Sequence, residues 1–413
     1  MKVLDAELAA AIAGEASRQE THVELIASEN YVSPNVLAVQ GSCLTNKYAD
    51  GYPGARTYSG CEFVDIAESL ACKRACRLFG AAHANVQPYS GTQANAAALL
   101  ALLEPGDTLL GMASAHGGHI THGHAKSFAG QFYRAVHYET DAATGLVDYE
   151  SIADAARTHR PKAIIAGYSA YSRGLDWARF RAIADEVGAW LIADMAHVAG
   201  LVAAGLCDSP VPHAHVCTST THKTLRGPRG GLILTCDPAL GERIDAAVYP
   251  GIQGGPLMHV VAAKAAAFEE AATPQFVDYQ RAVLDNARTL AAGIAARGFA
   301  ILTGGTDNHM MLVDLSTSAL DAPRAAAALE SAHIATSVWR LPQDDPSGPP
   351  RGLRLGTPAV TTRGFAASEM ELLAELIGDV LDDKAGATKR ASAEVEQLCR
   401  LFPVYGPGSA WEH

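Results

Sequence analysis

The sequence predicts an α/β fold: a large, mostly parallel sheet covered by helices, followed by a smaller C-terminal α+β domain. Three observations predict it. Short apolar runs of strand length recur through the first two-thirds, at "TLLGMA", "KAIIAGYS", "WLIADMA" and "GLILT". Stretches with helical periodicity, such as "DWARFRAIADEVGA", separate several of them. That alternation is the pattern of βαβ units whose strands are buried on both faces. After "GGPLMHVVAAKAAAFEEAA" the texture changes, and "ILTGGTDNHMMLVDL", "DAPRAAAALESAHI" and "ASEMELLAELIGDVLDD" read as a mixed domain.

In chain order, residues 1–20 form an N-terminal arm or helix, 21–275 the large domain and 276–413 the small one. The arm carries acidic residues where a signal peptide needs an unbroken apolar stretch. No window approaches the ~18 apolar residues of a membrane span, so the cytoplasm is expected. The stretch "PQDDPSGPPRG" is a proline-rich loop.

A net charge of −12 makes nucleic acid or an anionic membrane a poor partner for the chain as a whole. Of the eight cysteines only Cys72 and Cys76 lie close in sequence, and two sulfurs do not close a zinc site. The run "AHGGHITHGHAK" places His116, His119, His122 and His124 within ten residues and raises the question of a metal.

In open α/β sheets ligands sit beyond the carboxyl ends of the strands, and polar residues there carry the chemistry. "QPYSGTQAN" turns through small hydroxyl residues into a helix, whose free amides suit a phosphate. "WLIADMAH" puts Asp194 at the end of an apolar strand, where a carboxylate needs a positive partner. "CTSTTHKTLRGPRGG" sets Thr220, His222 and Lys223 at the end of another. "RGLRLGTPAV" holds Arg354 between leucines, where a guanidinium needs an anion. Any one of these alone is an ordinary buried polar residue. Together they describe a pyridoxal-phosphate site for an amino acid: a phosphate cradle, an acid for the pyridine nitrogen, a Schiff-base lysine and a carboxylate grip.

The chain resembles the serine hydroxymethyltransferase family of fold-type I pyridoxal-phosphate enzymes over nearly its whole length. The matching stretches include "ELIASENYVSP", "QPYSGTQAN", "AHGGHITHG", "GYSAYSR", "IADMAHVAGLVAAG", "TTHKTLRGPRGG", "YPGIQGGPLMH" and "LRLGTPAVTTRGF". The resemblance implies that Lys223, flanked by Thr220 and His222, carries the cofactor. Asp194 pairs with the pyridine nitrogen, and Ser90, Gly91 and Thr92 cradle the phosphate with Gly255 of a second subunit. His119 stacks on the ring, while His197 and Ser169 lie near the cofactor. Zinc is then not needed, with a minor place left for adventitious metal at His122 and His124. Arg354 and Ser28 grip the substrate carboxylate, and Tyr48 and Tyr58 arrive from the neighbouring subunit of a homodimer or tetramer.

The departures from the family pattern cluster where the second substrate is expected. The glutamate of "YAEGYPG" is Asp50, shorter by one methylene, and the leucines flanking the pteridine are Ser114 and Ile120. The usual tyrosine pair is Thr57-Tyr58, and "SVWRL" replaces an asparagine-lysine-asparagine run, placing Trp339 where an asparagine contacts the pterin. As a group they put tetrahydrofolate in doubt. They predict a threonine transaldolase-type enzyme that cleaves L-threonine and joins the glycyl unit to another aldehyde, with Trp339 as a stacking face. The alternatives are a folate-dependent serine (or α-methylserine) hydroxymethyltransferase, a simple threonine aldolase, and a non-catalytic binding protein that keeps the fold.

Overall fold

Seven strands form the central sheet: β1 (His83–Asn85), β2 (Thr108–Met112), β3 (Arg134–Tyr138), β4 (Ala163–Gly167), β5 (Trp190–Asp194), β6 (Val216–Thr220) and β7 (Gly231–Thr235). Their spatial order is β1-β7-β6-β5-β4-β2-β3. Strands β2 to β6 run parallel, and β7 is antiparallel to both its neighbours. The four apolar runs become β2, β4, β5 and β7, and every residue of β2, β4 and β7 is buried. Burial on both faces is why these strands show unbroken apolar runs instead of alternation. This is the fold-type I architecture expected from the sequence.

The computed structural model describes residues 5–407, and the chain forms two units, each with its own core. The sheet belongs to Val32–Arg281; the other unit joins Met1–Tyr31 to Ala282–His413. In the sheet unit three helices matter for the site: α1 (Glu62–Phe79), α2 (Gly91–Leu102) and α3 (Met258–Ala271). Helix α2 is alanine-rich; Ala94, Ala97, Ala98 and Leu99 pack on Ile165, Ile192, Val216 and Ile233 of the sheet.

The unit with the C-terminal segment is built around an antiparallel sheet of Ala300–Ile301, Met310–Asp314, Gly352–Gly356 and Ser337–Trp339, in that spatial order. Its core includes Leu290, Ile294, Leu353, Leu355, Leu373 and Ile377. The division differs from the expected one. The cut at 275/276 falls inside the helix Pro274–Ala296, and residues 21–31 belong with the C-terminal part. Two contacts explain the second difference. Val23–Glu24 pairs in parallel with Ile334–Ala335. The buried guanidinium of Arg363 also donates to the carbonyls of Glu20 and His22, at the end of the helix Ala6–Thr21. A cation there satisfies acceptors that the helix leaves open. Residues 1–4 of the expected arm and 408–413 of the expected small domain lie outside the described residues. Among the described residues no helix is long and apolar enough to cross a membrane.

Candidate active site

Asp194 ends β5, and its neighbours in register are Gly167 on β4 and Thr218 on β6. Gly167 has φ +145°, and a Cβ there would lie 2.2 Å from the Asp194 carbonyl oxygen, so only glycine fits beside it. The carboxylate is anchored from three sides. Oδ2 accepts from Asn95 Nδ2 at 2.8 Å and from His122 Nε2 at 3.1 Å, and Oδ1 accepts from the Ala196 amide at 3.1 Å. Burial by itself raises the carboxyl pKa, but the His122 hydrogen bond and charge, together with the Asn95 bond, outweigh it. The group is held well below the usual carboxylate range and stays ionised.

The same donors run on to His119. Thr218 Oγ1 donates to Asn95 Oδ1 at 2.5 Å, and Asn95 Nδ2 also donates to Thr121 Oγ1 at 2.8 Å. The Thr121 hydroxyl then has its proton for His119 Nδ1, 2.6 Å away, and the Thr121 amide reaches the same nitrogen at 3.2 Å. Nδ1 is therefore the acceptor and the ring proton sits on Nε2. Burial pushes the His119 pKa down to about 4, so the ring is neutral at pH 7. The turn that holds it needs glycine: Gly117 has φ +106°, and a Cβ there would lie 2.3 Å from the Ala170 carbonyl oxygen.

The four histidines thus divide. His116 Nδ1 is engaged by Thr140, 2.9 Å from its hydroxyl and 3.0 Å from its amide. His119 and His122 converge on Asp194, and His124 Nδ1 accepts from the Lys126 amide at 3.2 Å. Of the pair given a minor place for metal, Nε2 of the buried His122 is turned to Asp194 and His124 Nδ1 accepts from the Lys126 amide, so these two atoms are already engaged. His119, His122 and Asp194 do bring three ligand-type atoms within 4.8 Å of one another, and the bonds above already use an atom of each.

Around this floor a cavity of about 150 Å³ is lined by Ser90, Gly91, Thr92, His119, Ser169, Asp194, His197, Thr220, His222 and Lys223. These are ten of the residues expected from the sequence. Ser90 caps α2 by accepting from the Gln93 amide at 3.2 Å, which leaves the first helical amides without intrahelical acceptors. Gly91 admits the end of β6: a Cβ there would lie 2.6 Å from Thr220 Cγ2. Lys223 Nζ lies 3.4 Å from Thr220 Oγ1 and is buried. His222 is held neutral, its pKa pushed down to about 3 by burial and then by the nearby cations Lys223, Arg229 and Lys264. Its Nδ1 is buried with no hydrogen-bond partner among the described residues.

The donor set fits pyridoxal phosphate. An ionised acid at the floor matches a protonated pyridine nitrogen, open amides at a helix start and an orphaned imidazole nitrogen match a phosphate, and a buried lysine matches the aldehyde carbon.

Tyr48, Asp50, Tyr58 and Gly255 do not line this cavity. They gather elsewhere in the same unit. The rings of Tyr48 and Tyr58 meet edge to face at 5.3 Å, and a Cβ on Gly255 would lie 3.0 Å from Asp50 Oδ1 and 3.2 Å from Tyr48 Cζ. Both tyrosines are about half exposed, at 59% and 48%. In the other unit Arg354 is buried, with Nε 3.3 Å from Ser337 Oγ and Cζ 5.1 Å from the centre of the Trp339 ring. Ser28 lies in the turn that follows Leu25–Ala27, and that stretch packs on Gly356, at the end of the Arg354 strand.

Sequence reasoning missed Asn95, Thr121 and Thr218, which orient Asp194 and His119, and the hydrogen bond from His122 to Asp194. It also missed Tyr168 and Arg229, which line the cavity. A signal existed for Asn95: it lies four residues after Gly91, on the helix face that the cradle opens.

The sequence matches the family described as "Serine hydroxymethyltransferase" across residues 1–377. The chain belongs to the serine hydroxymethyltransferase family. A family member from Legionella pneumophila (strain Corby), itself called serine hydroxymethyltransferase, is 58% identical over 410 residues, covering 98% of each chain. Proteins of the same name from Nitrosococcus oceani and Methylococcus capsulatus are each 57% identical and cover 97% of each chain. Membership makes this chain a pyridoxal-phosphate-dependent transferase-type enzyme of Cα–Cβ bond chemistry.

Proposed function

We propose that the protein is a tetrahydrofolate-dependent serine hydroxymethyltransferase. The observation that carries this reading is the likeness, over 97–98% of both chains, to proteins of that name. The threonine transaldolase expected from the departures is less well supported. One of its props also has another account: packing on Arg354 occupies the Trp339 ring without an aldehyde acceptor.

In this reading Ser90, Gly91, Thr92 and His222 hold the cofactor phosphate, Asp194 its ring nitrogen and Lys223 its aldehyde carbon, with His119, Ser169 and His197 about the ring. When bound, the cofactor supplies an electron sink for the pair left at Cα as the Cα–Cβ bond breaks. The chain's own residues do the rest. Arg354 and Ser28 bind the substrate carboxylate and so choose which Cα bond is aligned. Asp194, ionised and anchored, keeps a proton on the nitrogen opposite it. Neutral His119 offers its ring face without adding a charge. Tyr48, Asp50, Tyr58 and Gly255 serve the site of a second copy in a homodimer or tetramer. Their absence from the cavity lining and the exposed apolar stripe Phe63, Ile66 and Leu70 on α1 support that arrangement.

The test is glycine formation by the cofactor-loaded protein from L-serine, with and without tetrahydrofolate, beside acetaldehyde release from L-threonine. The proposal expects serine turnover to depend on folate. Folate-indifferent threonine cleavage that accelerates with added aldehydes would replace it with the transaldolase.

A further inference from the structure

Lys264 lies in the middle of α3 in an otherwise apolar run, and it is 1% exposed. Its Nζ sits 2.6 Å from the Val86 carbonyl oxygen, 3.0 Å from that of Pro88 and 2.8 Å from that of Gly231. Three acceptors match the three donors of an ammonium; a neutral amine has two N–H groups and leaves one of the three bonds unmade. Burial works against the charge and pulls the pKa down to about 7, with Glu68 acting the other way. The three hydrogen bonds are therefore what the buried cation depends on.

Those carbonyls belong to the two backbones that clamp the cradle. Val86 and Pro88 follow β1 and lead directly into Ser90. Gly231 opens β7, and its amide donates to the Pro88 carbonyl at 2.8 Å. A Cβ on Gly231 would lie 2.3 Å from the Ser90 carbonyl oxygen, so β7 presses on the cradle itself. Gly230 clears space for the lysine: a Cβ there would lie 2.4 Å from Lys264 Cε and 2.8 Å from Nζ.

We propose that Lys264 is a positioning residue of the phosphate cradle, its ammonium tying the exit of β1 to the start of β7 and thereby setting the bend that presents Ser90, Gly91 and Thr92. It touches neither cofactor nor substrate. The proposal rests on the assignment of those three residues as the phosphate site.

The experiment titrates cofactor-free wild type, Lys264→Met and Gly230→Ala with pyridoxal phosphate and with unphosphorylated pyridoxal, reading dissociation constants by fluorescence. Gly230→Ala keeps the lysine and pushes its head off the carbonyls, so it carries the test if Lys264→Met does not fold. The expected result is at least about tenfold weaker binding of pyridoxal phosphate, the scale of one buried carbonyl left without its partner, and pyridoxal binding within about twofold of wild type. Equal losses for both compounds would mean general destabilisation and overturn the proposal, as would unchanged phosphate-dependent binding in a folded variant. Wild type separates the two assignments: if it does not prefer the phosphorylated compound, the cradle assignment fails before Lys264 is judged.

Discussion

His122 Nε2 lies 3.1 Å from Asp194 Oδ2, with the imidazole fully enclosed. A histidine that follows His119 by three residues is thus the partner that holds the floor carboxylate ionised. His122→Leu removes that donor and lets burial raise the Asp194 carboxyl. We expect cofactor binding weakened by about tenfold or more, with a matching loss in turnover. A dissociation constant within twofold of wild type would show that Asn95 and the Ala196 amide suffice.

Acid sensitivity follows from His119 and His222, whose folded pKa values of about 4 and about 3 lie below the unfolded value near 6.5. A depressed histidine contributes stability that is fully present above about pH 6.5. It is lost as pH falls toward the folded value, because the unfolded chain binds the proton first. Between pH 7 and pH 5 each ring is worth on the order of 2 kcal/mol. Urea unfolding of the cofactor-free protein at pH 7 and pH 5 measures the difference, and His222→Gln narrows it. An unchanged difference in that variant would count against a buried, neutral His222.

Trp339 packs over the Arg354 guanidinium, and both belong to one antiparallel sheet. Trp339→Ala removes the aromatic face and loosens the arginine, costing about 1 kcal/mol of its positioning. The expected outcome is a KM for the amino acid raised about fivefold, with kcat and the KM of the co-substrate little changed. If the co-substrate KM alone moves, Trp339 contacts the acceptor directly.

Gly117→Ala combines an unfavourable left-handed φ with a Cβ 2.3 Å from the Ala170 carbonyl oxygen. That carbonyl is backbone, so relief requires the segment carrying Ser169 to move. We expect a loss of about 2–4 kcal/mol in unfolding free energy and a displaced His119. Chemical denaturation of the cofactor-free variant reads the first, and weakened cofactor binding the second.

Particular residues show what was legible before the structure. The buried strands were visible because burial on both faces demands continuous apolar runs, and Asp194, Lys223 and Ser90 stood out because each interrupts or ends such a run. Ordered motif matches pointed to seven more of the residues that line the cavity, and the cavity brings all ten together. Local sequence could not assign His122, because the run of histidines looks the same whether a ring meets a metal, a carboxylate or solvent.

What the sequence by itself determined was the α/β class, the strand ends that carry chemistry and the family, since these follow from periodicity and from residues adjacent along the chain. Only the tertiary structure decided who holds Asp194, which His119 nitrogen carries the proton, and where the N-terminal segment packs. Asn95, His122 and Thr218 are separated by up to 123 residues yet meet around one carboxylate system. Arg363 reaches back across 341 residues to the carbonyl of His22. A hydrogen bond depends on distance and direction in space, and sequence spacing sets neither once the chain has crossed the sheet.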